Sequence, residues 1–336
     1  MHFLVTGHTG FKGSWLTLLL AHKGHKVSGY ALNPEPESLF LNGGVADFLE
    51  SDFRSDIRDS VAFETAIKAS KPDVVIHMAA QPLVRESYRD PVNTVETNVN
   101  GTLNVLNASA KSDSIRAQII VTTDKVYKNK SQRAGYVESD ELGGDDPYSA
   151  SKAMADILTQ SWIKSFPKIP TAIARAGNVI GGGDSSKDRL FPDLISAYRA
   201  GQPVKLRYPN AVRPWQHVLD CLSGYLALAD YLIEGGTDAI WNFGPREDEF
   251  MAVRQVAEAV GKMWSIKPAW QPDEGAHLHE ADLLALDSKK ARLILDWEDK
   301  LNFEESLERT SDWYKRVESG TKPLNATLDD IKGFLS

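Results

Sequence analysis

Tyr148 and Lys152 stand four residues apart in the segment Tyr148-Ser149-Ala150-Ser151-Lys152, a spacing that puts both side chains on one face of a helix. A phenol titrates at about 10 and is a poor base at neutral pH. A neighbouring ammonium favours the phenolate, and proton removal from an alcohol becomes feasible. A second reactive group, Thr122-Thr123-Asp124-Lys125, closes the apolar run 117–122 with two hydroxyls, a carboxyl and an amine. Polar groups at the end of a buried segment cost free energy unless they are used, so this group reads as chemistry rather than as a capped turn. A third motif, Gly7-His8-Thr9-Gly10-Phe11-Lys12-Gly13, has the spacing GxxGxxG. Such a turn lets backbone approach a pyrophosphate, and the helix behind it offers free N–H groups and a positive dipole end.

These motifs need elements that carry them. The apolar pattern predicts strands at 3–6, 26–32, 73–78, 117–122 and 171–176, with a weaker one at 47–52. Between them it predicts helices at 14–23, 59–70, 91–111 and 147–166. Gly24 stops the first helix, Asp56 or Asp59 caps the second, and Pro147 opens the last. Strands alternating with helices give βαβ units and a parallel sheet, and the near-continuous apolar strands fit a sheet covered on both faces. The fold class is therefore α/β: a Rossmann-type doubly wound parallel sheet with a smaller C-terminal substrate-binding lobe. The glycine motif lies between the first strand and first helix, and the 122–125 group lies at the carboxyl end of a strand, where such sheets hold ligands. Residues 1–178 form the dinucleotide-binding domain, with 217–245 returning to it through a helix at 217–233 and a strand at 239–243. Residues 179–336 form mainly the second lobe. Four prolines, at 192, 203, 209 and 214, break that region into short elements.

The end of the second strand is where an acid would clamp a ribose hydroxyl. No Asp or Glu lies between Ser14 and Pro34, and Tyr30 and Asn33 occupy the region. No arginine is there to grip a 2′-phosphate, and Lys12 is read as the nearest cation, so this position leaves NAD and NADP both open. Asp56-Ile57 follows the third strand, where Asp56 suits either an adenine amino group or a helix cap.

Composition excludes other classes. The 336 residues carry 46 acids against 38 bases, a formal charge of −8, which argues against nucleic-acid binding and against a polybasic membrane surface. Apolar residues at 42% and charged residues at 25% are those of a globular chain. The single cysteine, Cys221, excludes an internal disulfide and a thiolate metal cluster, and beside Leu219 and Leu222 it reads as a core residue. Eight histidines show no HExxH-type spacing, and His277 and His279 fall in a polar stretch read as a loop, so no metal site is expected. The chain has no signal-type leader and no apolar run near the roughly 20 residues of a membrane span, and a cytoplasmic location is expected.

Gly7–Gly13, Asp56, Tyr148 with Lys152, and Arg175-Ala176-Gly177-Asn178 together resemble the extended short-chain dehydrogenase/reductase family, the NAD-dependent epimerases and dehydratases. Within it, residues 7–16 (GHTGFKGSWL), 122–127 (TTDKVY) and 213–218 (RPWQHV) resemble the CDP-glucose branch of the nucleotide-sugar 4,6-dehydratases, over residues 1 to about 320. The resemblance implies NAD held by Gly7, Thr9, Gly10, Phe11, Lys12, Gly13, Asp56, Ile57, Ala79, Ala80, Gln81, Asn98, Thr122, Tyr148 and Lys152. It implies a closed redox cycle on the hexose of a nucleoside diphosphate. Tyr148 takes the 4-hydroxyl proton, Thr123 hydrogen-bonds the same oxygen, Asp124 is the acid of the elimination and Lys125 its base. The better-known dTDP-glucose relatives carry a glutamate at the position of Lys125, which must be neutral to act as a base; a nearby Lys152 would favour that. Arg213 and Asn178 match substrate-diphosphate positions, with Arg189 and Arg207 as further candidates. Trp215 suits either substrate stacking or core packing. The helices 91–111 and 147–166 match the pair that builds a dimer in relatives, so a homodimer or dimer of dimers is expected. A nucleotide-sugar 4-epimerase would need Tyr148 and Lys152 but no acid–base pair at 124–125. A non-catalytic dinucleotide sensor would need neither.

Overall fold

The computed structural model describes residues 1–132, 134–246, 250–275 and 283–336. His277 and His279 lie outside the described residues. In chain order the strands are β1 His2–Thr6, β2 Lys26–Ala31, β3 Ser51–Arg54, β4 Val74–His77, β5 Ala117–Val121, β6 Thr171–Ala176, β7 Asn178–Ile180, β8 Val204–Leu206, β9 Val212–Arg213, β10 Trp215–His217, β11 Ile240–Phe243, β12 Met251–Ala252 and β13 Trp270–Pro272. Seven of them form one sheet in the order β3-β2-β1-β4-β5-β6-β11, every pair parallel. The chain winds outward in one direction from β1 to β3 and in the other from β4 to β11. The crevice between the carboxyl ends of β1 and β4 is thus the switch point where doubly wound sheets take ligands.

The helices are α1 Phe11–His22, α2 Leu39–Asn42, α3 Ser60–Ser70, α4 Val84–Arg89, α5 Pro91–Val95, α6 Gly101–Ala110, α7 Pro147–Ser165, α8 Leu190–Arg199, α9 Val218–Ile233, α10 Val253–Met263, α11 Lys289–Ile294, α12 Phe303–Glu318 and α13 Pro323–Leu335. On one face of the sheet, Leu4, Val75 and Ile120 pack against Phe63 and Ile67 of α3 and Val105 and Leu106 of α6. On the other, Phe3, Val5, Ile76 and Ile119 join Trp15 and Leu19 of α1 and Leu222 and Tyr225 of α9. Cys221 is fully buried there, as its neighbours predicted.

Two expectations change and one open alternative is decided. The weak strand at 47–52 is a single 3-10 turn at Val45–Phe48 followed by β3, because Gly44 in the left-handed region starts the turn. Asp59, not Asp56, caps α3, its side chain accepting from the Ala62 N–H. The helix 91–111 is interrupted by one π-helical turn, Glu96–Asn100, between α5 and α6. The cap of α7 is Asp146, with Pro147 in the first turn as expected.

A fully buried ion pair ties the sheet to α7. The Arg175 guanidinium of β6 donates from Nε and Nη2 to both oxygens of Asp156, each at 2.8 Å, and both side chains are completely enclosed. Tyr127 accepts a further Arg175 bond, and Thr122 donates to Asp156. Charges taken out of water are tolerable only when fully hydrogen-bonded, and this network meets that condition. The second lobe is built from short pairs, β7 with β10, β9 with β12 and β8 with β13, together with α8 and α10. The C-terminal α13 packs back on α1 and α2 of the first half.

Candidate active site

The turn after β1 is shaped by two glycines. Gly7 has φ of +74°, and a Cβ on Gly13 would stand 2.2 Å from the Gly7 carbonyl oxygen. The chain is therefore folded tightly on itself, and no larger residue fits. Gly10 is the N-cap of α1 and places no side chain over it. The first N–H groups of α1 are thus left for a ligand, an anion cradle suited to the pyrophosphate of a dinucleotide. Thr9 donates to the Leu32 carbonyl at the end of β2.

Other residues expected at the cofactor divide by what they already hold. Asn98 sits on the π-helical turn, completely buried, accepting from the Gln81 N–H at 2.8 Å and donating to Ser151. Gln81 donates to Leu83 and Thr94 and accepts from Leu83. Both side chains are spent fixing the loop after β4, which carries Ala79 and Ala80. Asp56 accepts several bonds from Arg58, which hold its carboxyl below the ordinary range. Ile57 is buried beside it. The cation nearest the β2 end is Arg54 rather than Lys12. The Arg54 guanidinium donates to the Leu32 carbonyl at 3.3 Å and to Asp52 at 2.6 Å, and lies over the Phe40 ring. Its signal was invisible in sequence, because β3 comes beside β2 only in the folded sheet.

A cleft of about 320 Å³ opens at the carboxyl ends of the central strands. Lys12, Ala80, Thr122, Thr123, Asp124, Lys125, Tyr148, Lys152, Asn178, Arg189, Arg207 and Arg213 all line it. The two sequence motifs at 122–125 and 148–152 thus share one wall. Thr123 Oγ1 donates to Asp124 Oδ1 at 2.8 Å. The other carboxylate oxygen, Oδ2, is buried without a partner. Burial raises the Asp124 carboxyl above its ordinary value, against the opposing pull of Lys125, the Thr123 hydroxyl and Arg213. A carboxyl whose proton is held more tightly than usual next to a cleft is suited to proton donation.

The phenol and the ammonium differ from expectation. Lys152 Nζ donates to the Val121 carbonyl at 2.8 Å. Burial, then the like charge of Lys12, lowers Lys152 to about 8. The cation facing Lys152 is therefore Lys12, on the glycine-rich turn, whereas Lys125 acts on Asp124. Burial pushes Tyr148 up to about 12, with the Thr123 hydroxyl opposing. In the protein alone desolvation wins over any help from Lys152. A positive charge brought against the phenol is needed to lower it.

Three arginines of the cleft carry counter-ions. Arg189 pairs with Asp184 at 3.1 Å, and Arg207 with Asp188 at 3.8 Å. Arg213, 4% exposed, donates to the Val212 carbonyl and is felt by Asp124. Arg85 of α4 lines the same cleft and pairs with Asp188 at 2.8 Å. Sequence reasoning passed over Arg85, although its loop follows β4 and the carboxyl-end rule pointed there. Trp215 is buried, donates to the Met251 carbonyl and packs in the core while one surface meets the cleft. Among the described residues no group of three or more His, Cys, Asp or Glu side chains is placed to hold a metal ion.

The geometry is that of a dinucleotide-dependent enzyme with a tyrosine–lysine pair, and the comparisons agree. The NAD dependent epimerase/dehydratase family matches residues 3–244, and the chain belongs to it. It is 41% identical over 343 residues, 99% of this chain and 95% of the relative, to CDP-glucose 4,6-dehydratase of Salmonella typhimurium. A probable dTDP-glucose 4,6-dehydratase of Sinorhizobium fredii is 28% identical, covering 94% of this chain and 93% of that protein. Among solved structures, dTDP-glucose 4,6-dehydratase of Bacillus anthracis in complex with NAD superposes with a TM-score of 0.81 at 26% identity, over 96% of this chain and 99% of the other. No helix among the described residues is long and apolar enough to cross a membrane.

Proposed function

We propose that the chain converts CDP-D-glucose to CDP-4-dehydro-6-deoxy-D-glucose, as a hydro-lyase with NAD as its cofactor. The observation that carries this reading is the single cleft wall on which an enclosed acid (Asp124), an amine (Lys125), a hydroxyl (Thr123) and the Tyr148–Lys152 pair meet. NAD accepts a hydride from the sugar C4 at the start and returns it to C6 at the end. Tyr148 takes the proton of the 4-hydroxyl, and Thr123 holds that oxygen. The resulting ketone acidifies the C5 proton, which Lys125 removes as the base. Asp124 gives its proton to the departing 6-hydroxyl, and water leaves. Lys125 then returns a proton to C5. Arg213, Arg189, Arg207 and Asn178 hold the diphosphate, each arginine exchanging a protein acceptor for a phosphate oxygen.

A 4-epimerase is the second reading, since UDP-glucuronic acid 4-epimerase of Bacillus cereus has the same fold at a TM-score of 0.82 and 25% identity, over 94% of this chain and 100% of the other. Asp124 with its raised carboxyl speaks against it, because epimerisation at C4 eliminates nothing. Residues 1–178 with 217–245 form the cofactor half in this reading, and the rest mainly the substrate lobe. Exposed Met154 and Ile157 on α7, with Leu103 on α6 and Val92 on α5, support a homodimer through these helices; the location is cytoplasmic. Incubation with NAD and CDP-glucose should give a 4-keto sugar whose enolate absorbs in base. Epimerised CDP-hexose without a keto product would overturn the dehydratase reading. Activity with NADP in place of NAD would overturn the cofactor assignment.

A further inference from the structure

We propose that Asp193 reads the exocyclic amino group of the substrate's cytosine and so excludes the uracil and thymine nucleotide sugars. This rests on the reading above, in which the hexose lies against Thr123 and Tyr148 and the diphosphate against the arginines. The nucleoside then occupies the rest of the cleft. Phe191 and Pro192 at the start of α8, Leu206 of β8 and Tyr208 are among the residues that line the cleft. Apolar and aromatic walls supply stacking area, but every pyrimidine offers them the same faces. Selection between bases needs a polar group aimed at the ring edge.

Asp193 stands in the first turn of α8, directly after Pro192, is exposed and lines the same cleft; burial raises its carboxyl to about 6, with Arg207 and Arg85 opposing and Asp188 adding to the rise. Among the described residues no hydrogen bond engages that carboxylate. Its acidic neighbour Asp188 takes the ion pairs with Arg85 and Arg207 instead. Asp193 is thus an accessible acceptor on the cleft that holds no hydrogen bond of its own. Cytosine presents an amino donor at C4, whereas uracil and thymine present a carbonyl acceptor there. A carboxylate accepts from the first and faces the second with two opposed acceptors. Discrimination at such a contact is on the order of 10- to 100-fold, and a polar site rejects the analogue that leaves it unpaired.

The full-length enzyme with NAD is assayed with CDP-, UDP- and dTDP-glucose, and binding of CDP and UDP is measured by calorimetry. The native enzyme is expected to prefer the cytosine substrate in kcat/KM. In Asp193→Asn the amide can turn its donor to the C4 carbonyl, so the preference should fall on the order of 10- to 100-fold. The loss should appear equally in the CDP-to-UDP binding ratio, with kcat for CDP-glucose within a few-fold of native. If Asp193→Asn does not fold, Asp193→Ser carries the same test, since a hydroxyl both donates and accepts. An unchanged preference in a folded variant would overturn the role of Asp193. A native enzyme that prefers dTDP- or UDP-glucose overturns the substrate reading itself, a result read before any variant is made.

Discussion

Asp124 and Lys125 are where the chemistry of this chain is most exposed to test. If they serve elimination only, their loss spares the first hydride transfer. Asp124→Asn keeps size and polarity but donates a proton poorly, and Lys125→Met keeps the stem without the amine. Both variants should oxidise C4 and then stall, giving a single-turnover rise in reduced-nicotinamide absorbance without keto-deoxy product. Lys125→Met should also stop exchange of the C5 hydrogen with deuterated water. Persistent exchange would put the base elsewhere, and normal turnover in both would remove the pair from the mechanism. Tyr148→Phe keeps the buried ring and removes the base, so kcat should fall on the order of 10² to 10⁴ with folding and NAD binding intact. More than a tenth of native activity would exclude Tyr148 as the base. The Tyr–Lys spacing was readable because i and i+4 always share a helix face. That Lys12 supplies the like charge beside Lys152 was not, because the two residues, 140 positions apart, come together only at the cleft.

Individual elements are tied together by buried polar groups. The buried Arg175–Asp156 pair joins β6 to α7 and, through Thr122, to the end of β5. Arg175→Met would leave Asp156 charged and enclosed with only Thr122 and Gln160 as donors. A loss of about 3–5 kcal/mol is expected, read as a fall in the denaturant midpoint. Replacing both residues by apolar ones should recover most of it, and a neutral Arg175→Met would refute the pair's role. In α9, Asp220 accepts from the Lys300 N–H on Oδ1, while Oδ2 is buried without a partner. Burial raises this carboxyl to about 7. The folded state therefore keeps a proton that the unfolded chain releases at lower pH. The associated stability is present in acid and lost as pH rises through about 7. Asp220→Asn cannot ionise, so its stability relative to the native protein should improve by about 2 kcal/mol between roughly pH 5 and pH 8. A difference independent of pH would show that Asp220 titrates normally.

The whole molecule runs a reaction in which the nicotinamide ends as it began. Hydrogen label at C4 of CDP-glucose should therefore appear at C6 of the same product molecule, with no net reduced cofactor. Stoichiometric reduced nicotinamide would indicate a simple dehydrogenase. The outer apolar face of α7 carries Met154 and Ile157, 41% and 54% exposed. Exposed apolar area in three adjacent helices has a reason if a second copy covers it. Charging it in Met154→Glu/Ile157→Glu should convert a dimer to monomer in sedimentation. A native protein that sediments as a monomer would refute the interface.

The α/β architecture, six of the seven central strands to within about two residues and the location of both reactive segments were determined by the sequence alone. Local rules suffice for these features. A sheet buried on both faces needs continuous apolar runs, a tight turn needs glycine, and helix periodicity brings Tyr148 to Lys152. The misplaced strand, β3, is short and only partly buried, so it lacks the apolar run that marked the others. Tertiary structure alone decided which charges face one another. Arg54 reaches the end of β2 because β3 pairs with β2, Arg85 reaches Asp188 across the cleft, and α13 returns to α1 from the far end of the chain. It also shifted the proton affinities of the site. Burial, a property of the packed molecule, raises Asp124 and Tyr148 and lowers Lys152, and the amount of water removed around a side chain is written in no local segment of sequence.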